Sequence, residues 1–275
     1  MVDVNKYRDL EIDQKDQVAT IRIVPLRRAV RAGRRHDIHW ELGSAFSELR
    51  GDNSVRVIVL TGAEADEFLV PPRTDTYSSE AAKKTRNDPS STWRTFTGIL
   101  RAYQSMAEIE KPIVARVNGD AIGFGQSLMF ASDIIVARED ARIADMHMGM
   151  GEVAPFGPPY GVVPGDGGAA LVPLYMTPAR AKEYLMLARE YSASELARLG
   201  IINYAVPMAE LDTRVEEIVG RLLKRSAYAL AWTKRVSNRL LASHLNLTLD
   251  ASAAYEMVNF LQMERMGWQD RKTLE

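Results

Sequence analysis

Residues 111–171 read KPIVARVNGDAIGFGQSLMFASDIIVAREDARIADMHMGMGEVAPFGPPYGVVPGDGGAAL, and this stretch decides the fold. Ile113–Val117 is a short apolar strand running into a glycine-rich turn, Asn118–Gly125. Phe124–Ser132 has the composition of a short apolar helix. Ile134–Ala137 is a second strand and Ile143-Ala144 a brief extended piece. Short strands alternating with helices predict an α/β core with mainly parallel strands. His147 follows in a loop rich in methionine, glycine and proline, and Pro164-Gly165-Asp166 opens another turn into helix.

The flanking chain supports the same reading. Val55–Thr61 (VRVIVLT) is a nearly continuous apolar run, the pattern of a strand buried on both faces. Leu10–Asp13 and Gln17–Val24 read as a hairpin around Lys15-Asp16. Asp37 can cap a helix to about Arg50 whose inner face is Ile38, Leu42, Phe46 and Leu49. Residues 75–91 are polar and read as loop. Thr92–Glu110 is predicted helical, with Trp93, Phe96, Leu100, Tyr103 and Ala107 inward. Thr177-Pro178 starts a helix, Ser192 and Glu195 have capping-box spacing, and Gly200 can end that helix. Ile201–Val206 is a last strand, and from Ala209 onward the chain reads as helix in about three segments. The division is a core domain over 1–208 and a C-terminal helical region over 209–275, placed to cover the core or meet another subunit.

Composition narrows the partners. Net charge is −1 over 275 residues, so no global basic field recruits nucleic acid or an anionic membrane. No cysteine is present, which excludes disulfides, thiolate catalysis and cysteine metal sites. No apolar run approaches the roughly 18 residues of a membrane span. The charged N-terminus MVDVNKYRDLEI has no apolar signal core, and a cytoplasmic location is expected.

Several constellations were weighed for chemistry. The histidines, at 36, 39, 147 and 244, lack HExxH spacing, so no metal is expected. Gly119, Gly123 and Gly125 form neither a dinucleotide fingerprint nor a P-loop. Their turn instead aims the first N–H groups of a helix at whatever lies in front of it, which suits a developing oxyanion. A second donor would come from the loop after Val55–Thr61, because parallel strands place such loops on one side. The bland alternative is an ordinary strand–turn–helix joint. His147 in a loop can act as a base near neutrality, or be structural. Asp166 can simply cap the next helix. Glu256 lies in the apolar helical run Ala253–Leu261, where pattern alone favours solvent. Arginines at 27, 28, 31, 34 and 35 form either a solvated loop or a clamp for a ligand phosphate or carboxylate.

Taken together, the residues resemble the crotonase (enoyl-CoA hydratase/isomerase) superfamily. Val55–Gly62 looks like its strand before the first oxyanion loop, Ala115–Gly125 like its AxVNGxAxGGG turn, and Ser132–Ala137 like its (S/C)DIxxA strand. The resemblance covers about residues 10–265. It implies an α/β fold of stacked ββα turns in a superhelical core, a C-terminal helical trimerisation region, and a homotrimer or dimer of trimers. It also implies an oxyanion hole made by the N–H groups of Leu69 and Phe124. The hydratases' two glutamates fall on Ser127 and His147, and Phe68–Arg73 replaces the FSAGxD loop. These departures point to the carbon–carbon bond hydrolase branch of the 6-oxocamphor hydrolase type. His147 matches that branch's histidine, Val163–Gly167 its VPGDG with Asp166 as catalytic aspartate, and Glu256 its catalytic glutamate. Two features depart from it: Gly125 stands where the branch has a second histidine, and its active-site tryptophan aligns near Arg34.

The implied activity is retro-Claisen hydrolysis of a small-molecule, cyclic β-diketone. His147, oriented by Glu256 or Asp166, would deprotonate water, and Asp166 would reprotonate the enolate carbon. Trp40, Trp93, Phe156 and Tyr160 are candidate walls. This chemistry needs no metal or redox cofactor. The alternatives are a coenzyme A thioester hydratase, lyase or hydrolase using His147, with the arginine run on the coenzyme's phosphates, and a non-catalytic scaffold of the same fold.

Overall fold

The computed structural model describes residues 6–31, 36–74, 79–149, 156 and 161–266. Two sheets are built by one repeated move. The strand β3 (Val57–Gly62) is followed by short β4 (Glu67–Leu69), β5 (Ile113–Val117) by β6 (Asp120–Ile122), and β7 (Ile134–Arg138) by β8 (Arg142–Ala144). The first member of each pair joins a six-stranded sheet, ordered β1-β2-β3-β5-β7-β10, with β1 at Leu10–Lys15, β2 at Val18–Ile23 and β10 at Tyr204–Val206. The second members join a four-stranded sheet, β4-β6-β8-β9, with β9 at Glu190–Ser192. Pairing is parallel from β2 through β3, β5 and β7 to β10, and antiparallel at β1–β2. The α/β architecture with C-terminal helices is thus as expected.

Alternation in β3 shows why its sequence is apolar throughout. Ile58 and Leu60 face the main core, and Val57 and Val59 face a second cluster. That second cluster is closed by Leu211, Val215 and Ile218 of helix α9 (Met208–Leu223). In chain order the helices before it are α1 (Leu26–Arg31), α2 (Ile38–Gly51), α3 (Glu80–Arg86), α4 (Pro89–Glu108), α5 (Phe124–Phe130), α6 (Gly168–Tyr175), α7 (Pro178–Met186) and α8 (Ala193–Arg198). The last helix, α10, runs unbroken from Ala227 to Arg265. The C-terminal region is therefore two helices among the described residues, where three segments were expected.

Local signals fared unevenly. The β1–β2 turn forms at Asp16 and Gln17, both at positive φ, the twist a two-residue hairpin requires. Ser192 and Glu195 form the full capping box, and Gly200 takes φ +70° after α8. Asp37 stands at the N-cap of α2, but its carboxylate receives Arg94 Nε at 2.7 and 2.9 Å and does not cap. Part of the polar 75–91 stretch is helix, in α3 and the start of α4. In α4 the buried residues are Gly98, Ile99, Ala102, Tyr103, Met106 and Ala107, with Phe96 and Leu100 packed against the same core, so the expected inward face holds except at Trp93. Trp93 is 62% exposed.

Candidate active site

Asn118 assembles the glycine turn with the first loop. Its Oδ1 accepts from the Gly62 N–H and the Thr61 hydroxyl, each at 2.9 Å. Its Nδ2 donates to the Glu67 carbonyl at 3.2 Å and to the Glu64 carbonyl. One buried amide therefore ties the turn after β3 to the turn after β5. The parallel pairing of β4 with β6 sets Leu69 opposite Ala121. Phe124 begins α5, where a helix N–H has no partner within its own helix. Leu69 and α5 are so close that a Cβ on Gly125 would lie 2.2 Å from the Leu69 carbonyl oxygen. No side chain fits there, which accounts for glycine where the hydrolase branch carries a histidine.

His147 sits beside this turn: a Cβ on Gly123 would lie 3.7 Å from its Cε1. The ring is buried and faces carboxylates on both edges. Nδ1 is 2.7 Å from Asp145 Oδ1, which also accepts the His147 backbone N–H at 3.1 Å. Nε2 lies 3.4 Å from Asp166 Oδ1 and 3.9 Å from Glu256 Oε1. The orienting group is thus Asp145, not Asp166 or Glu256 as expected from the sequence. Met146 at φ +66° bends the backbone so that a carboxylate two positions before the histidine can reach its ring.

Asp166 is carried by the loop before α6, and the N-cap of α6 is Gly167, so Asp166 does not cap it. Helix α10 pins that loop: Asn259 Oδ1 accepts the Val163 N–H at 3.1 Å and Ser252 Oγ reaches the Gly165 carbonyl at 3.4 Å. Glu256 lies between those two residues on the same helical face, 6% exposed, so the solvent reading of this position is overturned. Leu245, Leu249, Ser252, Glu256 and Asn259 follow a 4-3-4-3 spacing, the stripe of a buried helical face. A Cβ on Gly165 would meet Glu256 Oε2 at 2.6 Å, so glycine is needed to let the carboxylate in.

Three carboxylates around one imidazole reshape its protonation. Burial works to lower the His147 pKa, but the attraction of Asp145 and then Asp166 outweighs it and the pKa rises well above the usual value. The protonated ring is therefore favoured, with Nδ1 hydrogen-bonded to Asp145 and Nε2 facing Asp166 and Glu256 at ion-pair distance. Glu256 is pushed up to about 8, by burial first and the neighbouring Asp166 second, against the pull of His147. It is a neutral acid at pH 7. Asp145 Oδ2, Asp166 Oδ1 and Glu256 Oε2 are buried without a hydrogen bond among the described residues. Unsatisfied buried oxygens are costly, and their clustering marks a place built for something other than stability. Among the described residues no group of histidines and carboxylates is arranged to hold a metal ion.

The expected walls divide. Phe156 packs against the buried cluster of Ile122, Ala144, Met146 and Ala188, which Val70 also joins, and pairs with Arg73 in an isolated bridge. Trp40 lies between the guanidinium groups of Arg94 and Arg101, at 4.4 and 4.1 Å. Exposed Trp93 packs on Trp40 at 5.9 Å between ring centroids. Tyr160 falls outside the described residues. His39, which the sequence did not single out for the site, packs its ring 4.2 Å from Phe124. The first two arginines of the basic run are in α1. Arg27 pairs with Glu64 and Glu67, and Arg28 with Glu64 at 3.1 Å.

The α/β core sets a glycine turn against a buried, acid-rich histidine, and known proteins share this fold. Residues 16–269 match the enoyl-CoA hydratase/isomerase family, to which this chain belongs. It is 25% identical to a crotonyl-CoA hydratase of Syntrophomonas wolfei over 79% of this chain and 77% of that protein. It is 29% identical to a carnitinyl-CoA dehydratase of Escherichia coli over 72% of this chain and 69% of that protein. Among solved structures, an enoyl-CoA hydratase/isomerase from Mycobacterium paratuberculosis superposes with TM-score 0.76 at 27% identity, covering 93% and 95% of the two chains. A β-diketone hydrolase from Anabaena, bound to (S)-3-oxocyclohexyl acetic acid, shares the fold with TM-score 0.77 at 22% identity, covering 94% and 96%. No helix among the described residues is long and apolar enough to cross a membrane.

Proposed function

We propose that the chain hydrolyses a carbon–carbon bond in a cyclic β-diketone by a retro-Claisen reaction. The observation that carries the reading is the convergence of Asp166 and Glu256 on His147 Nε2, at 3.4 and 3.9 Å. The division of labour differs from that read in the sequence. His147 is already protonated and is a poor base. Asp166, with 15% of its side chain exposed, is the most accessible of the three carboxylates and takes a proton from water. The hydroxide attacks one ring carbonyl, and the C–C bond breaks with its electron pair passing to the other carbonyl as an enolate. The N–H groups of Leu69 and Phe124 hold the enolate oxygen. Neutral Glu256 protonates the enolate carbon, and the proton held by Asp166 returns to Glu256 past His147. Water is thereby added across the broken bond, leaving a keto acid.

A coenzyme A thioester is the second reading, favoured by the names of the curated relatives. Against it, Arg27 and Arg28 are already matched by the chain's own glutamates. The apolar residues Tyr228, Trp232, Val236 and Leu240 that α10 exposes are where copies of the chain would meet as a trimer. The test is a panel of 2,2-dimethylcyclohexane-1,3-dione and short acyl and enoyl-CoA thioesters, each with wild type and His147→Ala. Ring opening of the dione without coenzyme, abolished in the variant, supports the hydrolase. Turnover confined to the thioesters overturns it.

A further inference from the structure

We propose that Tyr184, Gln126, Ser127 and Tyr103 form a positioning strut that holds the oxyanion turn, His147 and Asp166 in fixed relation. All four are fully buried polar side chains behind the site. The Tyr184 hydroxyl donates to Gln126 Oε1 at 3.3 Å, and the helix that carries Tyr184 packs against His147–Gly149. Gln126 Nε2 donates to Ser127 Oγ at 2.7 Å. Ser127 and the Tyr103 hydroxyl meet beside Gly167, where an added Cβ would lie 2.9 Å from Ser127 Cβ and within reach of the Tyr103 oxygen, and that hydroxyl donates to the Asp166 carbonyl oxygen. Three hydrogen bonds and the contacts between them thus lead from the segment that carries His147 to the backbone of Asp166. The serial bonds through Gln126 polarise and strengthen one another.

The placement gives the strut its purpose. Asp145 orients His147, and Asp166 faces the other edge of the same ring. Gln126 and Ser127 lie in the first turn of α5, whose first N–H belongs to Phe124. The strut therefore joins the three segments of chain that carry base, acid-rich histidine and oxyanion donor. Phenylalanine at 103 and 184 would fill the same space without requiring partners, so hydroxyls here are not needed for packing. None of the four reaches the reacting atoms, and their role is positional. Ser127 is also the position at which the resemblance placed a hydratase glutamate, so the site has turned that position from chemistry to support.

The inference rests on the proposed hydrolase for its kinetic arm only. Tyr103→Phe, Ser127→Ala and the hydroxyl-retaining Ser127→Thr would be assayed on 2,2-dimethylcyclohexane-1,3-dione. In parallel the His147 ring would be titrated by ¹⁵N NMR, its signal assigned with His147→Ala. The first two variants should lose about tenfold in kcat with KM within about twofold, the scale expected of small misplacements. Their His147 should titrate at lower pH, as Asp166 drifts from Nε2, while Ser127→Thr stays near wild type in both readouts. Wild-type kcat and an unmoved titration in both hydroxyl-deleted variants would overturn the strut. So would a lowered Tm with the His147 titration unmoved, which is the mark of plain packing. If no variant or wild type opens the dione but the titration still shifts, the strut stands and the substrate assignment falls.

Discussion

Two charge clusters in this molecule invite comparison. Around Arg27 and Arg28, two cations alternate with Glu11, Glu64 and Glu67, and the guanidinium side chains are 41% and 48% exposed. Around His147, one cation faces three carboxylates, with side-chain exposures of 5% for the ring and 0%, 15% and 8% for Asp145, Asp166 and Glu256. The first cluster is closer to balance, two cations to three carboxylates, and mostly exposed, where ion pairs contribute little. The second is unbalanced and dry, where surplus carboxylates must take up protons or raise the pKa of the ring they face. In sequence the loud feature is the arginine run, while the carboxylates of the second cluster stand far apart. Density of charge along the chain thus says less about chemistry than imbalance of charge in a dry place.

The largest effect that tests this contrast is His147→Ala. It removes the only cation of the second cluster, so Asp166 and Glu256 lose their shared partner, and kcat/KM on the dione should fall by about 10³-fold or more. A loss below about tenfold with a native circular dichroism spectrum would make the cluster structural. Glu256→Gln comes next. Loss of the acid should slow turnover about 10²-fold. Its effect on stability has the opposite sign. Glu256 titrates near 8 in the folded chain against 4.5 ordinarily, so the folded state keeps a proton that the unfolded state has released. Stability from this group is present below pH 4.5 and is lost as pH rises through 8. The glutamine variant should melt above wild type at pH 9 and lose that advantage toward acid pH. Equal melting profiles across the range would show that Glu256 is not held neutral by its surroundings. Asp145→Asn should cost about tenfold in kcat and bring the His147 titration down toward its usual range, since the larger attraction on the ring is gone. An unmoved His147 titration would exclude Asp145 as the orienting group.

What could be read in advance follows the same divide between local and convergent features. The strands of the six-stranded sheet, the β1–β2 hairpin, the capping box and the glycine turn depend on neighbours in sequence, and these were legible, whereas the three-residue strands β4, β6 and β9 were not. His147 and Asp166 were legible as residues because a resemblance supplied them, but their division of labour was not. It depends on Asp145, which becomes a ring partner only through the positive φ of Met146. Glu256 looked solvent-facing in an apolar window, yet its spacing from Leu249 and Ser252 already put it on the buried stripe. Trp93 is exposed because it sits a turn before the residues of α4 that meet the core, although Phe96, Leu100, Tyr103 and Ala107 of the same expected face do so. Gln126 and Ser127 were passed over as part of an apolar helix, because their partners Tyr103 and Tyr184 come from α4 and α7.

The smallest expected effect is Arg27→Ala, and its smallness is informative. Arg27 spans Glu64 and Glu67. Both glutamates are in or near the turn after β3, so the variant probes whether this surface clasp also shapes the first oxyanion loop. If the clasp is an ordinary solvated pair, the cost is about 0.2–1 kcal/mol of stability, falling with added salt, and kcat on the dione changes less than about twofold. Glu67 is the less exposed partner, and its Oε1 also lies 3.4 Å from the Val70 N–H, one residue past Leu69. A loss of tenfold or more in kcat, with Tm held, would mean that the clasp reaches Leu69 and that the two charge clusters are parts of one site. Thermal protection by an acyl-CoA that disappears in Arg27→Ala would have a different meaning. Arg27 would then leave its glutamates for a ligand phosphate, and the first cluster would be a binding site in waiting for the coenzyme reading.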